Sequence, residues 1–269
     1  MIDDAVARYL ADMQATACCL SDELGSGTQS FIASDMPPAI VAAKACAARA
    51  AGRRDEVHAE LQQAGYQAVF SGQKTYNGVA IISKAVPEDV IVGIPNFSDE
   101  QKRVIAATLN GVRVVCVYVP NGQSVDSDKY QYKLAWLTAL QQWLKDELVR
   151  YPKLVLLGDY NIAPEDRDVH DPQAWVGNVL VSEPERAAFR ALEQLGLRDS
   201  FRLFEQPEKS YTWWDYRMMA FRRNMGLRID HILVSEALVP NCSACSIDRT
   251  LRKLERPSDH VPVVAEIKI

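Results

Sequence analysis

The side chains that could do chemistry in this 269-residue chain fall in four short segments: Tyr118 ahead of PNG, Asp159 and Asn161 in GDYNI, Asp230 and His231 in LRIDHIL, and Asp259 and His260 in PSDHVPV. Each alone has a plain structural explanation. An isolated GDxN is an Asx-type turn leaving a strand, a DH pair is a satisfied polar bend, and a strand tyrosine is core more often than catalyst. Asp placed next to Asn or His at three separate strand ends is harder to assign to chance. If Asp159, Asn161, Asp230, Asp259 and His260 converge, they offer hard oxygen ligands for magnesium or manganese, an amide to orient a group, and an imidazole tied to a carboxylate. Metal-assisted phosphoester hydrolysis is the reaction such a set serves. The metal neutralises non-bridging phosphate oxygens, a carboxylate takes a proton from water, and the imidazole stabilises charge growing at phosphorus. No Ser or Cys nucleophile with a matching His is evident.

The surrounding elements must present these groups together. Leu154 to Leu157 form an unbroken apolar run stopped by Gly158, which predicts a buried strand with Asp159 at its end. Val112 to Val119 is almost wholly β-branched or aromatic, predicting a central strand that follows a tight turn at Asn110 and Gly111 and carries Tyr118 near its end. Strands are also expected over Tyr66 to Phe70 and Val79 to Ser83, with Asn77 and Gly78 as the turn signal between them. That connecting loop carries Lys74, Tyr76 and Asn77, types that approach a phosphate or sugar. Shorter strands are expected over His231 to Val234 and Val261 to Ile269.

Leu134, Leu137, Leu140, Leu144 and Leu148, with Trp136 and Trp143, predict a long amphipathic helix ending at Pro152. SEPERAAFRALEQLGL predicts a second, with Glu183 three residues before Arg186 and Gly196 closing it. Between them, Asp166, Asp168 and Asp171 lack calcium-loop spacing and are expected to be solvated turn residues. The segment SYTWWDYRMMAFRRNMGLR sets Arg217, Arg222, Arg223 and Arg228 among Tyr211, Trp213, Trp214, Tyr216 and Phe221. Basic residues interleaved with aromatics can hold a phosphate backbone and stack or wedge against bases. The N-terminal part is less informative. Residues 4 to 14 have amphipathic-helix spacing, CCLSDELGSGTQS is turn-like, and AIVAAKACAARAAGRR favours a helix by propensity.

Composition limits the alternatives. Hydrophobic content of 48% and charged content of 24% are ordinary for a globular protein and exclude disorder, collagen and coiled coil. The length and the lack of a linker point to one domain over residues 1–269. A formal charge of -5 means that nucleic acid would have to be held by a local basic patch. No apolar run approaches the ~20 residues that a membrane helix needs. The acidic start MIDDAVARYLADM is unlike a secretory signal, so a cytoplasmic location is expected. Six cysteines in mostly apolar settings are expected to be reduced, and the Cys242/Cys245 pair lacks the partners of a zinc site.

Six motifs in order, GQKTYNGVAI, Tyr118 with PNG, GDYNI, TWWDYR, LRIDHIL and ERPSDHVPV, resemble the exonuclease III (AP endonuclease) type of the endonuclease/exonuclease/phosphatase superfamily over roughly Glu56 to Ile269. The resemblance implies a four-layer α/β sandwich, with two mixed β-sheets packed face to face and helices outside. It implies a Mg-dependent (or Mn-dependent) DNA phosphodiester hydrolase of base-excision repair, monomeric, acting on duplex DNA at an abasic site or a 3′ terminus. By motif, Asp159 corresponds to the residue that orients or deprotonates the attacking water, with Asn161 holding it. Asp230 corresponds to the carboxylate that orients the catalytic His260, and Tyr118 to a phosphate-contacting tyrosine. Metal ligation is implied for Asp259, with Asp159, Asn161 and His260 around the same site. Lys74, Tyr76, Asn77, Trp213, Trp214 and Arg217 fall where the family grips DNA. The chain departs from the family at its start: residues 1–55 contain neither WNxNS nor LQExK, whose Glu is the principal metal ligand. Glu23, Asp35, Asp55 and Glu56 are candidate replacement acids in or beside that segment, and none stands in a convincing strand-end context. Two other functions therefore stay open: a catalytically impaired DNA-binding protein of the same fold, and a small-molecule or lipid phosphoesterase.

Overall fold

The computed structural model of the protein describes residues 16–21, 40–44, 59, 61–63, 65–73, 77–253 and 257–268. The helix expected over residues 4 to 14 lies outside them. Two six-stranded sheets form the framework. The first has β1 (Thr16–Ser21), β2 (Ile40–Lys44), β3 (Gln67–Gly72), β4 (Gly78–Ser83), β11 (Cys242–Ile247) and β12 (Val263–Ile267), in the order β11-β12-β1-β2-β4-β3. The second has β5 (Glu88–Val92), β6 (Val104–Leu109), β7 (Val112–Tyr118), β8 (Leu154–Asp159), β9 (Leu197–Asp199) and β10 (Asp230–Ser235), in the order β5-β6-β7-β8-β10-β9. Both sheets are mixed, since β1 runs parallel to β12 and β7 parallel to β8 while the other pairings are antiparallel. With flanking helices α1 (Asp128–Arg150), α2 (Pro172–Trp175) and α3 (Glu183–Gln194), this is the α/β sandwich that the motifs implied. Among the described residues no helix is long and apolar enough to cross a membrane.

Alternation along the strands makes the layers. Val114 and Cys116 of β7, Val155 and Leu157 of β8, and Ile232 and Val234 of β10 pack against Ile81, Val263, Ala265 and Ile267 of the first sheet. The intervening Val115, Val117, Leu154, Leu156 and Leu233 face the other way and meet Trp136, Leu140 and Leu144 of α1 with Phe189 and Leu192 of α3. The central strands are thus apolar on both faces, which is why β8 reads as an uninterrupted run. Asn110 and Gly111, both at positive φ, close the β6–β7 hairpin as the Asn-Gly pair predicted. β3 and β4 pair as far as Gly72 and Gly78, so Gly78 belongs to the strand rather than to a two-residue Asn-Gly turn.

Several expectations are corrected by tertiary pairing. β1 and β2 are strands inside the first sheet where a turn and an alanine-rich helix were expected, because β2 is bonded on one side to β1 and on the other to β4. Glu183 pairs with Arg190, while Arg186 reaches Asp166 and the Ala163 carbonyl. Asp166 is at the surface and Asp171 caps α2, but Asp168 is fully buried and not solvated. Its Oδ1 accepts from Arg228 Nε at 2.6 Å and from Arg202, and Arg228 also reaches Asp199 Oδ2 at 2.8 Å. Burial alone would raise the Asp168 pKa, yet the Arg228 and Arg202 guanidinium groups hold it below the ordinary carboxylate value. The partners lie far along the chain, so turn composition near Asp168 could not disclose them. Cys242 and Cys245 are buried free thiols whose pKa values burial pushes up to about 11 and about 12, as expected of structural cysteines.

Gly158 allows two strands to approach. It lies at φ +140°, and a Cβ there would stand 1.9 Å from the Val117 carbonyl oxygen of β7. Gly158→Ala is expected to destabilise the fold by about 2–4 kcal/mol, whereas Gly72→Ala, with nothing within 4 Å of its Cβ, should stay within about 0.5 kcal/mol. Urea midpoints of the two variants check this. His231 gives a pH prediction. Burial first, and then the Arg228 guanidinium, push its pKa from 6.5 down to about 4. The unfolded chain therefore binds a proton that the fold refuses between those values, and stability falls as pH drops through that window. The loss should approach ~3 kcal/mol, and a pH series of urea unfolding should show a flatter slope between pH 6.5 and 4 for His231→Gln.

Candidate active site

The register of the second sheet builds the site. Tyr118 ends β7, Asp159 ends β8 and Asp230 opens β10, and these three are direct neighbours: Tyr118 pairs with Asp159, and Asp159 pairs with Asp230. The Gly158 contact with β7 is what lets the first pair stand so close. Thr212 fixes the third, since its Oγ1 accepts from the Ile229 and Asp230 amides at 3.0 and 3.1 Å. His260 arrives from the other sheet, three residues before β12. Its Nδ1 donates to Asp230 Oδ2 at 2.8 Å, and its Nε2 stands 4.0 Å from Asp159 Oδ2. A carboxylate at Nδ1 places the proton there and turns Nε2 toward Asp159. A separation of 4.0 Å leaves room for a small group, such as a water or a phosphate oxygen, in contact with both.

Asn161 completes the arm. It adopts the left-handed conformation with φ 49°, which Asn tolerates better than most residues. Its backbone N–H donates to Asp159 Oδ1 at 2.9 Å and its Nδ2 to Asp159 Oδ2 at 3.3 Å and the Val119 carbonyl at 3.0 Å. Asn121, of the PNG segment, donates from Nδ2 to Asn161 Oδ1 at 3.1 Å. Asp159 is thus orientated from two directions. His231 takes no part. It is buried on the far side, with Nε2 at the Ile162 carbonyl and Nδ1 toward Arg228. Asp230 is therefore bonded to His260, 30 residues away, and not to its sequence neighbour His231.

Asp159, Asp230 and His260 are all buried, and each offers a ligand atom within 4.8 Å of the others. Burial raises the Asp230 pKa, with the His260 imidazole opposing that rise. Its Oδ1 is buried without a hydrogen-bonded partner among the described residues, although the Thr212 hydroxyl is close enough to favour its ionised form. An uncompensated buried oxygen beside a second carboxylate is a setting that a divalent cation stabilises, and the donor set suits one. Asp259 is outside this cluster. Its Oδ2 accepts from Trp213 Nε1 at 2.9 Å, and its carbonyl accepts from the Trp214 amide at 3.0 Å. Asp259 therefore clasps the TWWDYR segment beside the site.

The remaining predicted contact residues separate by exposure. Trp213 is half-buried and bridges to His260, whereas Trp214 is fully enclosed, edge-on to Phe221 at 5.0 Å and to Tyr211 at 6.5 Å. This corrects the assignment of Trp214 as a DNA-stacking residue, because no ring face is open. Asn77 is also buried, with Nδ2 donating to Gln101 Oε1 at 2.8 Å. Lys74 and Tyr76 lie outside the described residues. Arg217 is exposed and held to Asp215 through two bonds of 3.0 and 2.8 Å. Two neighbours escaped the sequence reading. Arg103 stacks over the Tyr118 ring at 4.5 Å and donates to the Tyr118 carbonyl. Lys133 is buried behind Asn161, and the signal for it was a lysine within the apolar stripe of α1.

Comparison with known proteins settles the lineage. A family model described as Endonuclease/Exonuclease/phosphatase family matches residues 30–260. The chain belongs to this family. Exodeoxyribonuclease III of Haemophilus influenzae is 37% identical over 217 residues, covering 76% of this chain and 81% of that protein. Among solved structures, a Neisseria protein described as the 3′ phosphatase NExo (D146N) bound to product DNA hairpin is 47% identical with a TM-score of 0.83, covering 87% of this chain and 91% of that one. An AP endonuclease from Archaeoglobus fulgidus is 40% identical with a TM-score of 0.76, covering 79% and 83%. Family members are hydrolases, and the buried acid and imidazole cluster of this chain is what such an enzyme requires. The cluster is expected to take up a divalent ion: millimolar Mn2+ should raise the melting temperature of the protein, and Asp159→Asn should abolish most of that rise.

Proposed function

We propose that this chain is a divalent-metal-dependent DNA phosphodiester hydrolase of base-excision repair, using Mg2+ or Mn2+ and acting on duplex DNA at abasic sites or 3′ termini. The observation that carries the proposal is the Asp159, Asp230 and His260 cluster, with the two carboxylates at neighbouring ends of β8 and β10 and His260 brought in ahead of β12, beside an exposed basic and aromatic segment. The nuclease and phosphatase names of its relatives point the same way. In this reading Asp159, orientated by Asn161, takes a proton from the attacking water. His260, with Nδ1 tied to Asp230, offers Nε2 to a phosphoryl oxygen and stabilises negative charge as it develops. Tyr118, stacked under Arg103, contacts the phosphate from the neighbouring strand. Asp159 and Asp230, with His260 alongside, would hold the metal, which supplies Lewis-acid stabilisation of the phosphate when bound. Asp259 supports it from the next residue.

Trp213 and Arg217 contact the DNA, joined by the exposed Tyr216, Met218 and Met219 and by Arg222 and Arg223 on the same projecting segment. These give an acidic chain the local positive surface that binding to a phosphate backbone needs. The protein acts as a single-domain monomer located in the cytoplasm.

A second reading rests on the sequence: residues 1–55 lack the LQExK motif whose Glu the resemblance makes the principal metal ligand. A DNA-binding protein of the same fold without turnover would have this feature. A small-molecule or lipid phosphoesterase is disfavoured by the TWWDYR segment beside the site. Purified protein with Mg2+ or Mn2+ should cut an abasic duplex, a recessed 3′ end or a 3′-phosphorylated hairpin. His260→Asn and Asp159→Asn should each lower kcat by about 10²–10⁴-fold. Salt-sensitive DNA binding without metal-dependent turnover would sink the enzyme reading and leave the binding protein.

A further inference from the structure

Lys133 has no role in the reaction described above, yet its side chain is fully enclosed. Its Nζ donates to the main-chain oxygen of Asn161 at 2.7 Å, to that of Asn121 at 3.1 Å, and to Glu185 Oε1. Glu185 in turn accepts from the Leu180 amide at 3.0 Å and from the Ser182 amide and hydroxyl at 3.0 and 2.6 Å. One ammonium group therefore joins α1, the Asn121 loop, the Asn161 turn and the start of α3.

Stability alone does not explain such a group. A buried ion pair is often matched or bettered by apolar residues of the same size, because desolvation of both charges offsets their attraction. What apolar residues cannot do is hold two carbonyl oxygens from two separate loops. Those loops carry Asn121 and Asn161, whose side chains bond each other, and Asn161 in turn bonds Asp159 through its amide and its side chain. Asn161 also sits in the left-handed conformation, which Asn tolerates but which the surrounding bonds must hold in one orientation if its side chain is to reach Asp159.

We infer that Lys133 is a positioning residue: by holding the carbonyls of Asn121 and Asn161 it fixes the left-handed turn that aims Asn161 at Asp159. It touches neither substrate nor metal in this role. The inference rests on the hydrolase reading for its kinetic consequence but not for its structural one, and the two are measured separately. Lys133→Met keeps the volume of the side chain and removes the three donors. The double variant Lys133→Met with Glu185→Gln also removes the charge that would be left unpaired, so it tests the role even where the single variant folds poorly. Lys133→Arg restores donors.

Amide hydrogen exchange gives the structural readout. In the double variant the Asn161 amide should exchange about tenfold faster or more when normalised to the core amides of β8, which report global opening. In Lys133→Arg it should stay near the parent value. Steady-state cleavage of a DNA substrate gives the kinetic readout: kcat should fall about tenfold or more in the double variant, with KM for the duplex within about twofold, and Lys133→Arg should recover most of it. Unchanged normalised protection at Asn161 overturns the inference. So does an unchanged kcat in a folded double variant of an active enzyme. If the parent protein cuts no substrate, the hydrolase reading fails, and the exchange ratio still decides the role of Lys133.

Discussion

Two carboxylates stand opposite each other at the buried ends of β8 and β10, and the rest of the site depends on that costly arrangement. Like charges side by side in a water-poor interior repel strongly and lose their hydration together. The His260 imidazole stands between them, bonded to Asp230 and facing Asp159. Each supporting contact serves to keep this geometry. Gly158 brings β8 against β7, the Thr212 hydroxyl takes the first two amides around Asp230, and Asn161 donates twice to Asp159. The two carboxylates cannot relax apart because β8 and β10 are bonded neighbours in a sheet whose two faces are both packed.

Below the site lies a second ionic assembly of opposite character. Arg228, Asp168, Asp199 and Arg202 neutralise one another, and burial, reinforced by Arg228, keeps His231 neutral. Its charges are internally matched, so it anchors the loops after β8 to the start of β10 without inviting a ligand. The Asp159, Asp230 and His260 cluster differs in its charges: it sets two carboxylates around one imidazole, where the other assembly pairs two acids with two guanidinium groups.

Much of this was legible in the chain. The strand over Leu154 to Leu157, the Asn110-Gly111 turn and the amphipathic α1 follow from local periodicity and turn chemistry, and the structure has them where expected. The working residues at strand ends were visible as types, and the six motifs pointed to the family. What stayed hidden is what depends on distant partners. Asp168 looked like a solvated turn acid until Arg228 reached it, and Trp214 looked like a binding residue until Phe221 and Tyr211 enclosed it. The strands β1 and β2 owe their form to neighbours on both sides, which overrides an alanine-rich propensity for helix. Asp230 and His260 could be paired only through the family pattern, because adjacency in the chain joins Asp230 to His231 instead.

The bond between Asp230 and His260 joins residues from opposite sheets. Asp230 belongs to the platform formed by β7, β8 and β10, while His260 comes in on the chain leading to β12. The site is therefore closed only where the two sheets are packed together, and its assembly depends on contacts distant in the chain. During synthesis the chain passes through lengths that already contain Tyr118, Asp159, Asn161 and Asp230 but carry no imidazole to pair with them. A partly made chain thus holds an incomplete cluster, which the arrival of His260 from the other sheet completes.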